Sequence, residues 1–269
     1  MKEVKIKTSY YQQFDADLQL DVPGEGYGGW KTAVLPFDLD STGFVFMHAW
    51  NFGTPQQYPG WHRACEFFPR ADKIIKKAFP PLLKALRGAG MKIYHVAADG
   101  AGLDKYPGVM HTVPLPAGFV TAPRNENYTA LQEFRRCNVF VGRHNEPDVE
   151  RGYPYKNFHP KTVPIYGEPV FLDDAAMAAT LAADGVNHLV YSGFAINWCL
   201  FMSPCGMVDM GRRGFICSAV RDAVTAVENK ESARTEAHKE EALWRTALSW
   251  GFVFDVAEII KALKEEIDS

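Results

Sequence analysis

Short continuous runs of apolar residues alternate along the chain with longer stretches in which apolar residues recur every three or four positions. The continuous runs are typical of parallel strands covered on both faces, because such strands show no alternation of apolar and polar residues. Six segments have this pattern and are predicted strands: TGFVFMHAWN (42–51), GAGMKIYHVAAD (88–99), PVFLD (169–173), HLVYSG (188–193), GFICSAVRDA (214–223) and FVFD (252–255). NVFVGRH (138–144) is predicted to be a further short strand.

The stretches between these runs have the period of amphipathic helices. One predicted helix begins near Asp72, and Pro80 and Pro81 are expected to kink it or split it in two. Further helices are predicted for TALQEFRRC (129–137), AAMAATLAADG (175–185), residues 197–213, SARTEAHKEEALWRTAL (232–248) and VAEIIKALKEEI (256–267). This alternation of strands and helices predicts an α/β fold: a Rossmann-like, three-layer α/β/α arrangement with a mainly parallel sheet.

Three stretches follow neither pattern. Residues 1–40 have no steady period and are interpreted as an N-terminal arm that lies on the surface or on a neighbouring subunit, whereas residues 41–269 are predicted to form a single domain. Residues 100–128 and 145–168 are irregular, and loops of this length are often functional. We expect them to carry the side chains that select a substrate.

The composition and charge exclude several classes of protein. The chain of 269 residues is 47% hydrophobic and 23% charged, as globular proteins are, and its net charge of −3 offers no basic surface for nucleic acid or an anionic membrane. No stretch approaches the roughly 18 uncharged apolar residues that span a bilayer, and the N-terminus lacks the apolar core of a signal peptide. The five cysteines include no C-x-x-C pair. We therefore expect a cytoplasmic protein without a metal or cofactor.

Two segments are predicted to meet at one edge of the sheet. In open parallel sheets, ligands bind beyond the carboxyl ends of the strands. The end of TGFVFMHAWN and the segment GFAINWC (193–199) both lie at such ends. Cys199 then sits at a corner between a strand and a helix, where it is either a small core residue or a nucleophile.

The residues around Cys199 match a known motif. Gly193, Phe194, Ala195 and Cys199 fit the pattern G-φ-A-T-x-x-C, with Ile196 in place of the threonine, and Gly214 with Asp222-Ala223 fits the glycine and D-A strand end that follow it. With these motifs the chain, over about residues 32–230, resembles the isochorismatase-like cysteine hydrolases, which include nicotinamidases and N-carbamoyl amidohydrolases. The resemblance implies that Cys199 is the nucleophile.

The other two catalytic positions of that family are a carboxylate that ends the first strand and a lysine that ends the third. Aligned with the first-strand motif, the run TGFVFMHAWN puts His48 at the carboxylate position. A rival register keeps Asp38 as the carboxylate, but it puts Pro36 inside a central strand, where proline cannot donate a ladder hydrogen bond. At the lysine position stands Asp173, while Lys156 and Lys161 in the preceding irregular stretch are alternatives.

These residues suggest a rewritten catalytic set. Cys199 near a helix N-terminus is expected to form a thiolate, with His48 as base or imidazolium partner and Asp173 orienting the ring. The resemblance further implies an oxyanion hole formed by the backbone N–H groups of Ala195 and Cys199. Each residue has a structural alternative, since His48 could bond a backbone carbonyl and Asp173 could cap a helix. Trp50 and Asn197 are expected to contact substrate, although aromatic packing also explains Trp50.

The sequence thus predicts a hydrolase of a small amide, carbamoyl or related carbonyl compound, acting through a covalent acyl-enzyme at Cys199. The alternative is a catalytically degenerate protein of the same fold that binds a small ligand or serves as an oligomer component. A weaker third hypothesis is a redox or isomerase activity of the Cys199 thiolate. The resemblance also implies a homo-oligomer, a dimer or a tetramer.

Overall fold

The computed structural model describes residues 3–98, 103, 106, 109–110, 122–165 and 167–267. These residues form one sheet of nine strands, in the order β2-β1-β9-β8-β7-β3-β4-β6-β5. The strands are β1 (Glu3–Gln12), β2 (Gly29–Asp38), β3 (Thr42–Met47), β4 (Lys92–Val96), β5 (Val109–Met110), β6 (Val170–Phe171), β7 (His188–Phe194), β8 (Ile216–Thr225) and β9 (Val253–Phe254). The pairs from β9 through β5 are parallel, and β1 pairs antiparallel with both β2 and β9.

The helices are α1 (Pro59–Ala64), α2 (Phe68–Lys77), α3 (Phe79–Gly88), α4 (Glu126–Asn138), α5 (Glu146–Gly152), α6 (Asp174–Ala183), α7 (Cys199–Met202), α8 (Met207–Arg212), α9 (Ala237–Ser249) and α10 (Val256–Ile267). Apolar side chains of α2, α3 and α10 pack on one face of the sheet with Phe44 and Phe46. Side chains of α6, α8 and α9 pack on the other face with Val45 and Met47. The predicted three-layer α/β fold with a mainly parallel sheet is therefore confirmed.

The central strand explains why the continuous apolar runs were a reliable signal. All six residues of β3 are buried, because successive side chains point to opposite faces and helices cover both. The predicted division of the helix after Asp72 is confirmed: α2 ends at Lys77, and α3 carries Pro80 within its first turn. Proline is tolerated there because that N–H has no intrahelical partner.

The N-terminal segment differs from the expected irregular arm. Strands β1 and β2 form a long antiparallel hairpin, and Ser9 of β1 pairs with Val253 of β9, which extends the sheet. Phe37 is the one buried residue of β2, whereas β1 alternates the buried Val4, Ile6 and Thr8 with exposed residues. The interpretation of the segment as a subunit contact, and the domain boundary at residue 40, stay predictions.

Two further local predictions were wrong. Residues 139–143 form no strand, because the N–H groups of Val139, Gly142 and Arg143 bond carbonyls in the last turn of α4. The helix predicted over 197–213 is broken into α7 and α8, since Ser203 before Pro204 is extended and Cys205 has a left-handed φ of 67°. Much of the predicted loop 100–128 lies outside the described residues.

None of the helices in the described part of the chain is both long enough and apolar enough to cross a bilayer.

Candidate active site

The candidate site lies at the carboxyl ends of β3 and β7, which are neighbours in the centre of the sheet. Met47 of β3 pairs with Gly193 of β7, so His48 and Phe194 leave the two strands side by side. Gly193 has a φ of +133°, and a Cβ on it would lie 2.0 Å from the Met47 carbonyl oxygen. Only glycine fits this close approach, which brings the cysteine corner against the end of β3.

A cavity of about 280 Å³ opens at this point. Its polar wall consists of His48, Lys156, Cys199 and Ser203, and Tyr153 contributes a phenol. The rest of the wall is mostly apolar and aromatic: Trp50, Phe52, Trp61, Cys65, Phe67, Phe68, Ala98, Phe140, Val141, Val149 and Phe194. No carboxylate lines the cavity among the residues that the structure describes, so Lys156 supplies its positive charge.

Cys199 is the first residue of α7 and is partly exposed to solvent. Burial raises the pKa of its thiol, and the Ser203 hydroxyl, a hydrogen bond from the Ala195 backbone and the charge of Lys156 oppose that rise. Because α7 has only four residues, it offers less help to a thiolate than the long helix expected from the sequence. On balance the pKa of Cys199 is raised, whereas the thiolate predicted from the sequence would require a lowered pKa.

The peptide bond between Phe194 and Ala195 is cis. The Ala195 backbone forms a hydrogen bond to the Cys199 thiol, which agrees with the expected position of one oxyanion donor. The Ala195 carbonyl accepts from the N–H groups of Trp198 and Leu200, at 3.1 Å each. The function of the Ala195 and Cys199 N–H groups as an oxyanion hole stays a prediction.

His48 follows the last residue of β3 in a left-handed conformation, with a φ of 53°. Its N–H donates to the Val96 carbonyl at 2.9 Å, and its ring stacks on Trp50 with 5.5 Å between centroids. Burial, and then the charge of Lys156, lowers the pKa of His48 to about 4, although a hydrogen bond with the Ala97 backbone favours the charged ring. His48 is therefore a neutral imidazole at pH 7.

Lys156 is buried, with 4% of its surface exposed. Its ammonium group lies over the Tyr153 ring, 3.3 Å from the centroid, and 5.5 Å from the centroid of Trp50. The following residues are tied to the end of β3: the N–H of Asn51 donates to the Asn157 carbonyl, and the N–H of His159 donates to the Ala49 carbonyl. Backbone hydrogen bonds with the end of β3 thus hold the irregular stretch 145–168 in a position where Lys156 lines the cavity.

Two residues that the sequence assigned to the site lie elsewhere. Asp173 is the N-cap of α6, where its carboxylate accepts from the N–H groups of Ala175 and Ala176, and it does not line the cavity. Asn197 is also absent from the cavity wall, because its amide exchanges two hydrogen bonds with the backbone of Val227. The catalytic role of Asp173 and the substrate contact of Asn197 stay predictions, whereas Trp50 does line the cavity.

The structure distinguishes the alternative catalytic residues Asp38, Lys161 and Lys156 by their positions relative to the cavity. Asp38 ends β2, an outer strand, and its carboxylate accepts from the Ser41 hydroxyl at 2.6 Å, so it does not reach the cavity. Pro36 belongs to the same outer strand, where a missing donor is tolerated. Lys161 is exposed. Lys156 is the alternative that the fold brings beside Cys199 and His48.

Sequence reasoning missed Ser203, Tyr153 and Cys65 as cavity residues. Cys65 is buried and shares the cavity with Cys199. A sequence signal was present for the aromatic wall, because residues 50–68 contain six aromatic side chains outside any apolar period.

The described residues contain no group of three or more His, Cys, Asp or Glu side chains placed to hold a metal ion.

No protein-family model matches the chain, and no curated protein matches it in sequence. Among solved structures, it is similar to a cysteine hydrolase from Pseudomonas syringae pv. phaseolicola, with a TM-score of 0.50 and 15% identity over 86% of this chain and 96% of that one. An isochorismatase-like hydrolase from Alkaliphilus metalliredigens matches with a TM-score of 0.47 and 14% identity, over 84% of this chain and 98% of that one. An N-carbamoylsarcosine amidase from Thermoplasma acidophilum matches with a TM-score of 0.44 and 13% identity, over 81% and 98%.

Identities this low show the fold alone. The chain therefore shares the three-layer α/β fold of that Pseudomonas cysteine hydrolase, as its sequence predicts.

Proposed function

We propose that the protein is a cysteine-dependent hydrolase of a small amide, carbamoyl or related carbonyl compound, acting through an acyl-enzyme at Cys199. The observation that carries this proposal is the convergence of Cys199, His48 and Lys156 on one cavity at the carboxyl ends of two central strands. A thiol, a neutral imidazole and a cation together supply a nucleophile, a proton acceptor and a counter-charge.

The cavity limits the class of substrate. A volume of about 280 Å³ is at the small end of ligand sites, and most of the wall is aromatic. A compact acyl group with an apolar or aromatic body would fill it. The charge of Lys156, with no carboxylate beside it in the described wall, disfavours a cationic substrate. We expect a neutral or anionic compound.

The proposed reaction has two halves. In the first, the Cys199 thiol gives its proton to His48 as sulfur bonds to the carbonyl carbon, and the Ala195 and Cys199 N–H groups stabilise the oxyanion. The bond from carbon to the leaving nitrogen breaks as His48 returns the proton to that nitrogen. In the second, a water molecule gives a proton to His48 and attacks the thioester, and the proton then goes to the departing sulfur of Cys199.

The pKa of His48, at about 4, makes proton transfer from a neutral thiol unfavourable before substrate binds. A thiolate at Cys199 would favour the charged imidazole by attraction, so the two groups titrate as a pair. The positive charge of Lys156 lowers the pKa of both groups: it disfavours the charged His48 ring and favours the Cys199 thiolate. Proton transfer is therefore expected to accompany sulfur attack.

One observation favours a second candidate, a ligand-binding protein without catalysis. The family's carboxylate and its lysine at the end of the third strand are both replaced, and burial raises the pKa of Cys199. In such a protein Cys199 would be a wall residue of a binding cavity.

The experiment combines thiol reactivity with turnover. Site-resolved iodoacetamide alkylation across pH 5 to 9 should show Cys199 reacting mainly at the alkaline end, because burial raises the pKa of its thiol, with Cys137, a partly exposed thiol outside the cavity, as the internal control. The nitrophenyl ester of a small aromatic acid should then leave an acyl group on Cys199, detected by mass, which turns over in the wild type and is absent in Cys199→Ala. An acyl group on Cys199 that turns over would support the hydrolase, whereas the absence of any acyl-enzyme would overturn it and support the binding protein.

A further inference from the structure

A second cavity, of about 540 Å³, lies between α2, α10 and the segments around the end of β8. We call it the lateral cavity. Its apolar surface comes from Ile74, Ala78, Pro81, Val256, Ala257 and Ile260. It shares no lining residue with the cavity of Cys199, so the proposed function gives it no role.

The apolar surface follows from helix geometry. Arg70, Lys73, Ile74 and Lys77 lie at positions i, i+3, i+4 and i+7 of α2 and so share one face of the helix. Ile74 and Ile260 pack against the core but are only partly buried. The uncovered parts of these two side chains face the lateral cavity and leave an apolar floor open to a ligand.

The charged residues of the cavity are Arg70, Lys73, Lys77, Lys239, Asp222 and Glu236. The Arg70 side chain is held in place by hydrogen bonds. It donates to both carboxylate oxygens of Glu66, to the Thr225 hydroxyl at 3.1 Å and to the Ala226 carbonyl at 3.1 Å. Asp222 accepts from the Val256 N–H at 2.9 Å. These hydrogen bonds fix the Arg70 and Asp222 side chains in the cavity wall.

The three lysines differ from Arg70. Within the described chain, the ion pairs of α2 are Arg70 with Glu66, Lys76 with Asp72 and His159 with Asp72. None of Lys73, Lys77 and Lys239 forms an ion pair among these residues. Glu236 acts electrostatically on Arg70. The rim of an apolar cavity therefore carries three ammonium groups that lack an ion-pair partner among the described residues.

We propose that the lateral cavity binds an amphipathic anion, a monocarboxylate with an apolar chain or ring. The carboxylate lies among Lys73, Lys77 and Lys239, and the apolar part lies on Ile74, Ala78 and Ile260. The wall has four basic side chains against two carboxylates, so its net positive charge attracts an anion and disfavours a cation, and its apolar floor favours an apolar chain or ring. The cavity volume suits a ligand of about ten heavy atoms or somewhat more.

Calorimetric titration with sodium decanoate tests the proposal. We expect binding of one decanoate per chain, and no comparable binding of decyltrimethylammonium or decanol. Lys73→Glu/Lys77→Glu should weaken decanoate binding by at least about tenfold, since two attractions become repulsions. Lys5→Glu/Lys31→Glu makes the same change of charge on exposed residues of the hairpin and should leave binding unaltered.

A second variant and a second measurement locate the bound decanoate. Lys156→Met removes the cation of the Cys199 cavity and should not weaken binding, and backbone NMR shifts on titration should concentrate at residues 70–78 and 256–260. Three results would overturn the proposal: no binding of decanoate, equal weakening in both charge-reversal variants, or loss of binding in Lys156→Met. Failure of these tests would leave the hydrolase untouched, because alkylation and acylation of Cys199 do not involve the lateral cavity.

Discussion

The ammonium group of Lys156, a buried residue of the cavity wall, lies over the aromatic ring of the exposed Tyr153, 3.3 Å from its centroid. A cation held on the face of an aromatic ring needs no carboxylate partner, because the ring face is electronegative. Lys156 can therefore act on Cys199 and His48 through its charge alone. This differs from a catalytic set in which a carboxylate and a lysine neutralise each other.

The first prediction concerns that charge. Lys156→Met should raise the pKa values of both Cys199 and His48, since the Lys156 charge lowers each. The measurements are the pH profile of Cys199 alkylation, which should move to higher pH, and the NMR titration of the His48 ring. Lys161→Met, an exposed lysine of the same segment, is the matched control. Unchanged profiles in Lys156→Met would contradict the proposed role of the charge.

The second prediction concerns acid stability. Burial lowers the pKa values of His48 and His188 to about 4 in the folded protein, against about 6.5 in an unfolded chain. The unfolded state binds these protons first, so the free energy of unfolding should fall as pH decreases from about 6.5 to about 4, by at most roughly 3 kcal/mol for each of these two histidines. Urea denaturation at successive pH values measures this loss.

The matched variant for the acid prediction is His188→Gln. It can keep the hydrogen bond to Ser218, which is 2.8 Å long, but it does not titrate. Its stability should fall less than that of the wild type over the same pH range. Glu168, whose pKa is lowered to about 2 by its partners His95 and Arg87 against the effect of burial, loses its stabilising contribution only at lower pH. An identical pH dependence in the variant and the wild type would refute the assignment to His188.

The third prediction separates capping from catalysis at Asp173. Asp173→Ala should lower the free energy of unfolding by about 1 kcal/mol, because α6 loses its N-cap. It should leave the rate of Cys199 alkylation unaltered. Asp173→Asn keeps a side-chain oxygen for the cap and should be close to the wild type in both measurements. A large loss of alkylation in Asp173→Ala with a normal fold would support the catalytic interpretation.

The fourth prediction concerns the close approach at Gly193. Gly193→Ala should lower the free energy of unfolding by more than about 3 kcal/mol, because its Cβ would clash with the Met47 backbone at an unfavourable φ. Gly214→Ala also has a positive φ, of +92°, but its Cβ would meet nothing within 4 Å. It should cost only the backbone strain, about 1 kcal/mol. Denaturant titrations of both variants test the difference.

The sequence predicted the fold well where burial governs the pattern. Strands β3, β4 and β7 are covered on both faces, so their apolar runs are easy to recognise. The hairpin of β1 and β2 was missed although Val4, Ile6 and Thr8 of β1 are buried in alternation with exposed residues. In β2 only Phe37 is buried, and Pro36, which argues against a central strand, is tolerated in this outer one.

The site was predicted in part for a related reason. Cys199 and His48 follow buried strands, so their positions could be inferred from the strand ends. Lys156 reaches the cavity through backbone pairing of an irregular segment with residues 49–51, and no periodic pattern marks such pairing. Asp173 stands at the end of a strand and at the start of a helix, where an aspartate is a good cap, and it is the N-cap of α6. Its catalytic role stays a prediction.

The central place of β3 in the sheet has a consequence for the nascent chain. Its partner β7 begins at His188, so a fully apolar strand leaves the ribosome long before the strand that will pair with one of its edges. Until residue 194 has been made, that edge of β3 is free to pair with another polypeptide. Expression at high rates of synthesis is therefore expected to favour aggregation through β3, and a chaperone that binds residues 42–47 would suppress it.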